Sequence, residues 1–201
     1  MTTITCETKH LRALLSVAPK KDIRPTMNGV HFETGPNGTI AFVSNGHYML
    51  VARLSELPLP EGKLFLPNGK WNIPAKGHVE ITNTIDDLDM LAISLRYPDG
   101  SEQRATMPQV TMPPYRSVIP KSVSGEPGHF NPDYMALLGK AGKIAGWGQP
   151  QLTHNGFTGA ALVRYRSPDA FGVIMPLRTE TILKSPPDWL NAADQGAEEA
   201  A

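Results

Sequence analysis

The sequence is poor in cysteine, in net charge and in long apolar runs, and each shortage excludes a class of protein. The single cysteine, Cys6, can form no intrachain disulfide and cannot supply a cysteine-based zinc site, which indicates a reducing compartment. No run approaches the roughly 20 apolar residues of a membrane helix, and the N-terminus lacks the apolar core of a signal peptide. We therefore expect a cytoplasmic protein that has no membrane partner.

The net charge of the 201 residues is zero, because 19 lysines and arginines balance 19 aspartates and glutamates. Neutrality argues against a nucleic-acid partner, since phosphate binding usually leaves a basic excess. The charge is uneven, however. Residues 179–201 hold one base and five acids, which leaves 18 bases against 14 acids in residues 1–178. The composition of residues 179–201 predicts a disordered acidic tail, and the basic body keeps DNA open as a partner.

Strands and turns dominate the hydrophobic pattern, in keeping with the 18 glycines and 19 prolines. Residues 2–6 alternate like a strand, and the apolar residues from Leu11 to Ala18 then recur at helical spacing until Pro19 ends the helix. Three strands follow, at residues 29–34, 39–44 and 48–54, joined by turns at 36–38 and 45–46. These elements together form one β-α-β-β-β half-unit.

The half-unit pattern recurs twice. In the second half-unit Pro74 stands where the helix would fall, and the strands are predicted at residues 63–66, 78–84, 91–96 and 103–107. A proline-rich connector (108–120) and a polar linker (121–127) precede the third, which has a helix at 132–145 and strands at 128–130, 151–154, 160–166 and 171–177. We predict an α+β fold with domains at residues 1–120 and 121–178, followed by the tail at 179–201.

Signatures of catalysis and of metal binding are missing from the sequence. The six histidines show no H-E-x-x-H spacing, and the chain has no Walker A loop, G-x-G-x-x-G or G-x-S-x-G. The dense carboxylate cluster of Asp86, Asp87 and Asp89 lacks accompanying ligands and is typical of a solvated loop. Cys6 has no assignable histidine partner. We predict a protein that is not an enzyme and that needs no cofactor and no metal.

Four segments of the chain carry a family resemblance: MNGVHFET (27–34), VSNGHYM (43–49), PPYRSVIP (113–120) and VIMPLR (173–178). In this order they resemble successive signatures of the bacterial sliding clamp, the β subunit of DNA polymerase III. Phe130 and Asn131, with Tyr134 three residues later, also resemble the last half-unit of that family. Because members have three domains of two half-units each, this chain resembles a shortened form, the central domain plus the last half of the third domain.

The resemblance implies the DNA-clamp (processivity-fold) architecture, in which half-units form a ring that encircles double-stranded DNA and contacts it non-specifically. Helices line the hole of that ring, so the resemblance assigns DNA contact to basic residues on or beside them. These residues are Lys9, Arg12, Lys20, Lys21, Lys140 and Lys143. Taken by themselves, they equally suit ordinary solvated helix faces. The implied function is that of a processivity factor for a DNA polymerase.

The resemblance also implies an apolar cleft that captures short peptides of polymerases or other replication proteins. Methionine and valine offer adaptable apolar walls, and prolines fix the shape of a rim. The matching positions are Met27, Ser44, Gly46, His47, Tyr48, Met49, Pro113, Ser117, Val118, Val173, Met175, Pro176, Leu177 and Arg178. Taken singly, Met27, Val173 and Met175 also suit a core, and Asn45-Gly46 suits a simple hairpin turn. Tyr48 stands where the family usually has a basic residue.

The third half-unit poses an assembly problem, because by itself it would expose an apolar face. We expect that face to be covered by a second copy of the chain, by residues 1–107 or by the tail. A homo-oligomer is therefore expected, and four chains of three half-units each would match the number in a family ring.

Two other functions fit the same sequence. The first is a non-encircling clamp-like module or regulator, of phage or plasmid type, that binds replisome peptides or competes with the host clamp. Its own Pro187-Asp188-Trp189-Leu190 segment would offer an aromatic-aliphatic pair to a cleft. The second is a general β-rich DNA-binding protein, which predicts steep salt dependence without peptide binding.

Overall fold

The computed structural model describes residues 2–178, and the predicted acidic tail at 179–201 lies outside the described residues. The strands are β1 (Thr2–Glu7), β2 (Gly29–Gly35), β3 (Gly38–Ser44), β4 (Tyr48–Ser55), β5 (Gly62–Pro67), β6 (His78–Ile85), β7 (Met90–Arg96), β8 (Glu102–Pro108), β9 (Gln151–Thr153), β10 (Ala161–Arg164) and β11 (Ala170–Ile174). The helices are α1 (Thr8–Val17) and α2 (Pro132–Ala145), and short 3-10 helices lie at Pro25–Met27 and Tyr115–Val118. The α+β class is confirmed.

The strands form two antiparallel sheets, with the orders β1-β6-β7-β8 and β5-β2-β3-β4-β11-β10-β9. The first two half-units exchange their first strands. β1, the first strand of the first half-unit, pairs with β6 of the second, and β5, the first strand of the second half-unit, pairs with β2 of the first. The first two half-units are thereby interlocked. The domain division at residues 120 and 121 stays a prediction, and the seven-stranded sheet contains strands from both sides of it.

The strand predicted at residues 128–130 is wrong, because this segment has no strand in the structure. Its equivalent in the second half-unit is β5, which is a strand only because it pairs with β2 of another half-unit. Residues 128–130 have no such half-unit beside them among the described residues. Their hydrogen bonds are isolated, from the Gly128 amide to His154 Nδ1 at 3.1 Å and from the Leu177 amide to the His129 carbonyl at 2.6 Å.

The second half-unit has no helix between β5 and β6, as Pro74 predicts. A loop takes the place of the helix and is held by the hydrogen bonds of two consecutive residues. The Trp71 indole donates to the Pro67 carbonyl at 2.8 Å, and the Asn72 amide donates to the Gln103 side chain at 2.7 Å. Trp71 packs against the core, so this loop contributes apolar packing where a helix would otherwise lie.

The two helices lie side by side and run antiparallel on one face of the seven-stranded sheet. His10, near the start of α1, stacks on Trp147, just past the end of α2, at a ring-centroid distance of 5.4 Å. At the opposite end, Tyr48 lies 5.1 Å from the ring of Tyr134 at the start of α2, and its hydroxyl donates to the Val17 carbonyl at the end of α1. The third half-unit is therefore packed directly on the first.

Local chemistry fixes the ends of α2. The Asn131 side chain accepts from the Asp133 amide at 2.9 Å, which is an N-cap, and Pro132 occupies the first helical position. Gly146 ends the helix in the left-handed conformation, with φ of 76°, which glycine adopts without strain. Leu138, Ala141 and Ala145 supply the buried stripe of α2.

The apolar face of the third half-unit is covered within the chain, by residues 1–107. The last strand of that half-unit, β11, pairs with β4 from Ala170 opposite Ala52 to Ile174 opposite Tyr48. An ion pair of 2.6 Å between Arg53 and Asp169 lies at one end of this ladder. Of the three expected ways of covering the face, the structure shows this one.

Candidate functional site

A small apolar cleft lies where three distant segments of the chain meet. The segments are the turn between β3 and β4, the proline-rich connector and the end of β11. The cleft has a volume of about 140 Å³ and is lined by Met27, Phe42, Ser44, Gly46, His47, Tyr48, Met49, Pro113, Pro114, Tyr115, Ser117, Val118, Val173 and Met175.

The first wall is a hairpin turn that its own side chains hold in place. The Ser44 hydroxyl accepts from the Gly46 amide at 3.0 Å and donates to the Tyr48 carbonyl at 2.8 Å. The Asn45 side chain accepts from the amides of His47 and Tyr48, both at 2.9 Å. Gly46 has a φ of 86°, which a residue with a Cβ adopts only at a cost. The wall is therefore preformed rather than mobile.

The second wall is the connector, which is anchored by Tyr115. This buried ring stacks on Phe42 at a centroid distance of 4.1 Å, and its hydroxyl donates to Glu33 at 2.9 Å. Burial, with the hydrogen bond to Glu33, raises the pKa of Tyr115 to about 12, so the phenol stays protonated. Arg116 pairs with the same Glu33 carboxylate at 2.7 Å. These contacts hold Pro114, Ser117 and Val118 at the rim.

The third wall is the end of β11 and the residues that follow it. Val173 pairs with Met49 across the sheet, and the Met175 amide donates to the His47 carbonyl at 2.8 Å. Met27 completes an apolar lining that contains Met49 and Met175 as well. Thioether side chains repack at little cost, so such a lining accepts apolar groups of different shape.

Every residue predicted for the cleft lines it except Pro176, Leu177 and Arg178, which lie beyond its edge on the continuing chain. The sequence reasoning missed Phe42, Pro114 and Tyr115. Phe42 was detectable, because it lies two residues before Ser44 and therefore on the same face of β3. Pro114 and Tyr115 lie inside the segment PPYRSVIP, which the resemblance had already singled out.

The residues predicted to contact DNA are all exposed, and they fall into two groups. Four lie on the antiparallel helix pair, Lys9 and Arg12 on α1 and Lys140 and Lys143 on α2; the other two, Lys20 and Lys21, lie in the loop after α1. Lys9 pairs with Glu7 at 2.7 Å, whereas the other five have no carboxylate partner within residues 2–178. The helix pair thus presents basic side chains on each helix.

The described residues offer little chemistry beyond these two surfaces. No three histidines, cysteines, aspartates or glutamates in residues 2–178 are grouped so that they could hold a metal ion. The side chain of Asp86 accepts from the amides of Leu88 and Met90, at 3.0 and 2.9 Å, so it orders the exposed loop between β6 and β7. In the same range, no helix has the length and apolarity needed to cross a membrane.

Comparison with known proteins identifies the fold. No family model matches the sequence, and no curated protein matches it. Among solved structures, the chain is similar to DNA polymerase III β subunits from Pseudomonas aeruginosa (TM-score 0.65, 16% identity), Borrelia burgdorferi (0.67, 14%) and Thermotoga maritima (0.64, 12%). These matches each cover 89% of this chain and 67%, 64% and 66% of the respective subunits.

Two of the similar structures carry a ligand. The Borrelia burgdorferi subunit is in complex with a natural product, and a Pseudomonas aeruginosa sliding clamp is bound to griselimycin. All the similar structures named here are β subunits of DNA polymerase III. This chain, which spans about two thirds of their length, therefore has the fold of the sliding clamp.

Proposed function

We propose that this chain is a clamp-like processivity factor, non-catalytic, which contacts double-stranded DNA through its helix pair and binds client peptides of replication proteins in the apolar cleft. The observation that carries the proposal is the cleft. Its three walls come from segments more than 50 residues apart in the chain, yet each wall is held by its own hydrogen bonds or ring packing. A preformed apolar groove is suited to an extended peptide, because the groove loses little conformational entropy on binding and only the peptide has to be ordered.

The helix pair supports the DNA part of the proposal. A clamp that slides needs sparse phosphate contacts without base readout, and exposed lysine and arginine side chains on two adjacent helices provide them. Arg12, Lys140 and Lys143 have no carboxylate partner within the described part of the chain, so their charge is available to phosphates. The zero net charge of the whole chain does not oppose this, since the excess of acids lies in residues 179–201.

A second candidate, the non-encircling module, is favoured by one observation. The apolar face of the third half-unit packs on α1 and β4 of the same chain, so this face is not left for a second copy to cover. A single chain could then use the cleft to bind replisome peptides, or to compete with another clamp, without closing a ring.

Polymerase processivity on primed circular DNA separates the two functions. We expect the chain to lengthen the products of a clamp-dependent bacterial polymerase. Val118→Asp should abolish this effect and weaken binding of a clamp-motif peptide at least tenfold, because it places a carboxylate on the apolar rim of the cleft. Val118 is 41% exposed, so the substitution should leave folding intact.

Leu88→Asp is the matched control, since Leu88 is 83% exposed and lies outside the cleft. Peptide binding without any stimulation of the polymerase would favour the non-encircling module. If Val118→Asp keeps both polymerase stimulation and peptide binding, the assignment of the cleft is contradicted.

A further inference from the structure

The cleft is built beside the point at which the chain leaves the described structure. Met175 lies in the wall, and Arg178 is the last described residue. The 23 residues that follow are therefore tethered at the edge of the cleft. A tethered segment competes for a neighbouring site at an effective concentration of the order of millimolar.

The tethered segment contains a suitable occupant. Its large apolar residues are Ile182, Leu183, Trp189 and Leu190, and from Asn191 onward nothing apolar is larger than alanine. Trp189 is its one aromatic residue, and the apolar cleft, with a volume of about 140 Å³, has the size of a site for a single aromatic side chain. Tryptophan is also one of the side chains in which binding hot spots are enriched.

The spacing also fits. Trp189 is eleven residues beyond Arg178, and eleven residues span at most about 36–40 Å. Because Met175 is only three residues before Arg178, the cleft is well within that reach even if the chain reverses direction. Pro186 and Pro187 precede the pair and favour an extended backbone, the shape that apolar grooves accept.

We propose that Trp189 and Leu190 occupy the cleft of their own chain and must be displaced by a client peptide. The inference rests on the proposed function of the cleft and adds a regulation to it. When the tethered segment occupies the cleft, the apparent affinity of the cleft for a client peptide falls. The factor is about the effective concentration of the tethered segment divided by the dissociation constant of that segment for the cleft. With a dissociation constant of about 0.1 mM, the reduction is about tenfold.

Binding of a fluorescent peptide with the sequence of residues 184–193 tests this proposal. The full-length variant Trp189→Ala with Leu190→Ala should bind the peptide about tenfold more tightly than the unaltered chain, because its cleft is vacant. The full-length variant Ile182→Ala with Leu183→Ala is the matched control and should bind like the unaltered chain. Equal affinities for all three chains, or a gain in the control, would overturn the proposal.

Disulfide trapping gives a second, independent test. Ser117→Cys in the cleft rim, combined with Asn191→Cys, should form an intrachain disulfide under mild oxidation, and Trp189→Ala with Leu190→Ala should suppress it. Ser101→Cys with Asn191→Cys is the control, since Ser101 lies in the turn between β7 and β8. The native Cys6 should not interfere, because it is 1% exposed and burial raises the pKa of its thiol to about 12.

Non-reducing gel electrophoresis of the oxidised protein also distinguishes occupancy within one chain from occupancy between two chains. A disulfide between two chains would overturn occupancy in cis. If the chain stimulates the polymerase but shows none of these differences, the inference about the tail fails and the proposed function stands. If stimulation and cleft binding are both missing, the proposed function fails as well.

Discussion

Two buried tyrosines attach the helices to the rest of the molecule. The Tyr48 hydroxyl donates to the Val17 carbonyl of α1, and the Tyr165 hydroxyl donates to the Leu138 carbonyl of α2 at 3.0 Å. Burial raises the pKa of both phenols, that of Tyr48 to about 12, so both stay protonated donors at neutral pH. Each hydroxyl fixes the height of one helix above the sheet, and both helices carry residues assigned to DNA contact.

The single residue His10 makes the contact between the helices sensitive to pH. Its ring stacks on Trp147, and its Nδ1 is buried without a hydrogen-bond partner in residues 2–178. Burial lowers the pKa of His10 below its ordinary value of 6.5, against the opposing influence of Glu7 and Asp169 and with a smaller contribution from Lys9. The unfolded chain therefore takes up this proton first as the pH falls.

We expect the free energy of unfolding to be at its full value above about pH 6.5 and to decrease as the pH falls below it. His10→Phe keeps an aromatic ring for the stack but cannot be protonated, so it should reduce the slope of stability against pH. Urea unfolding at pH 7 and pH 5 measures this, with His129→Phe at an exposed position as the control. The buried His31, whose pKa burial also lowers, contributes in the same direction. An unchanged slope in His10→Phe would contradict the assignment.

Among the elements, α2 approaches its surroundings unusually closely. A Cβ at Gly142 would collide with the carbonyl of Gly148 and with the ring of Tyr165. Glycine at this helical position therefore allows the loop after α2 to pass against the helix. The same packing leaves Lys140 and Lys143 on the opposite, exposed side of α2.

The helix pair should act as one electrostatic surface. Changing Arg12, Lys140 and Lys143 together to alanine should weaken binding of double-stranded DNA at low salt and flatten the dependence of log K on log salt concentration. Each lost phosphate contact should reduce the slope by about 0.9. Fluorescence anisotropy with a labelled duplex over a range of salt concentrations measures the slope.

The matched control changes three exposed basic residues away from the helices and from the loop that replaces the second half-unit's helix, Lys63, Lys121 and Arg164, which should leave the slope unchanged. If the control and the helix variant weaken binding equally, the charge of the whole chain, and not the helix pair, is responsible.

At the scale of the whole molecule, three half-units leave two sheet edges without their expected partners, β8 and β9. The last strand of the first half-unit, β4, pairs with the last strand of the third, β11, whereas β8, the last strand of the second, lies at an open edge. The last strands of the three half-units are β4, β8 and β11. Because β4 and β11 already pair with each other, the last strand available to β8 in a homo-oligomer is β8 of a second copy. Such a contact is two-fold symmetric and antiparallel and closes a dimer, so a ring of four chains also needs a second two-fold contact, for which the sheet edge at β9 is available.

This arrangement predicts how a ring would assemble. We expect light scattering after size-exclusion chromatography to give four times the 21.9 kDa mass of one chain. If the two-fold axis passes through Ala105, the middle residue of β8, then Thr106 of one copy lies opposite Arg104 of the other copy. Thr106→Arg should therefore weaken assembly by like-charge repulsion, and Thr106→Asp should not. A monomer at every concentration would contradict the ring and favour the non-encircling module.

Most of the fold was predictable from local pattern. The helix at α1 follows from the spacing of Leu11 and Leu14, its end from Pro19, and the missing helix of the second half-unit from Pro74. The strand at 128–130 was not predictable, because strand formation there depends on a partner strand rather than on the segment itself. In the cleft, Tyr115 was missed since its importance comes from stacking on Phe42, which is 73 residues away in the chain.

The sequence by itself determined the half-units, the uneven charge and the short segments that line the cleft, because periodicity, turn residues and composition act over a few neighbouring residues. Only the tertiary structure decided that β11 pairs with β4, that α1 and α2 run antiparallel, and that three distant segments form one apolar cleft. Those features depend on burying surfaces against each other, and the hydrophobic effect that drives burial has no preferred direction along the chain. Which faces meet is therefore a property of the assembled molecule.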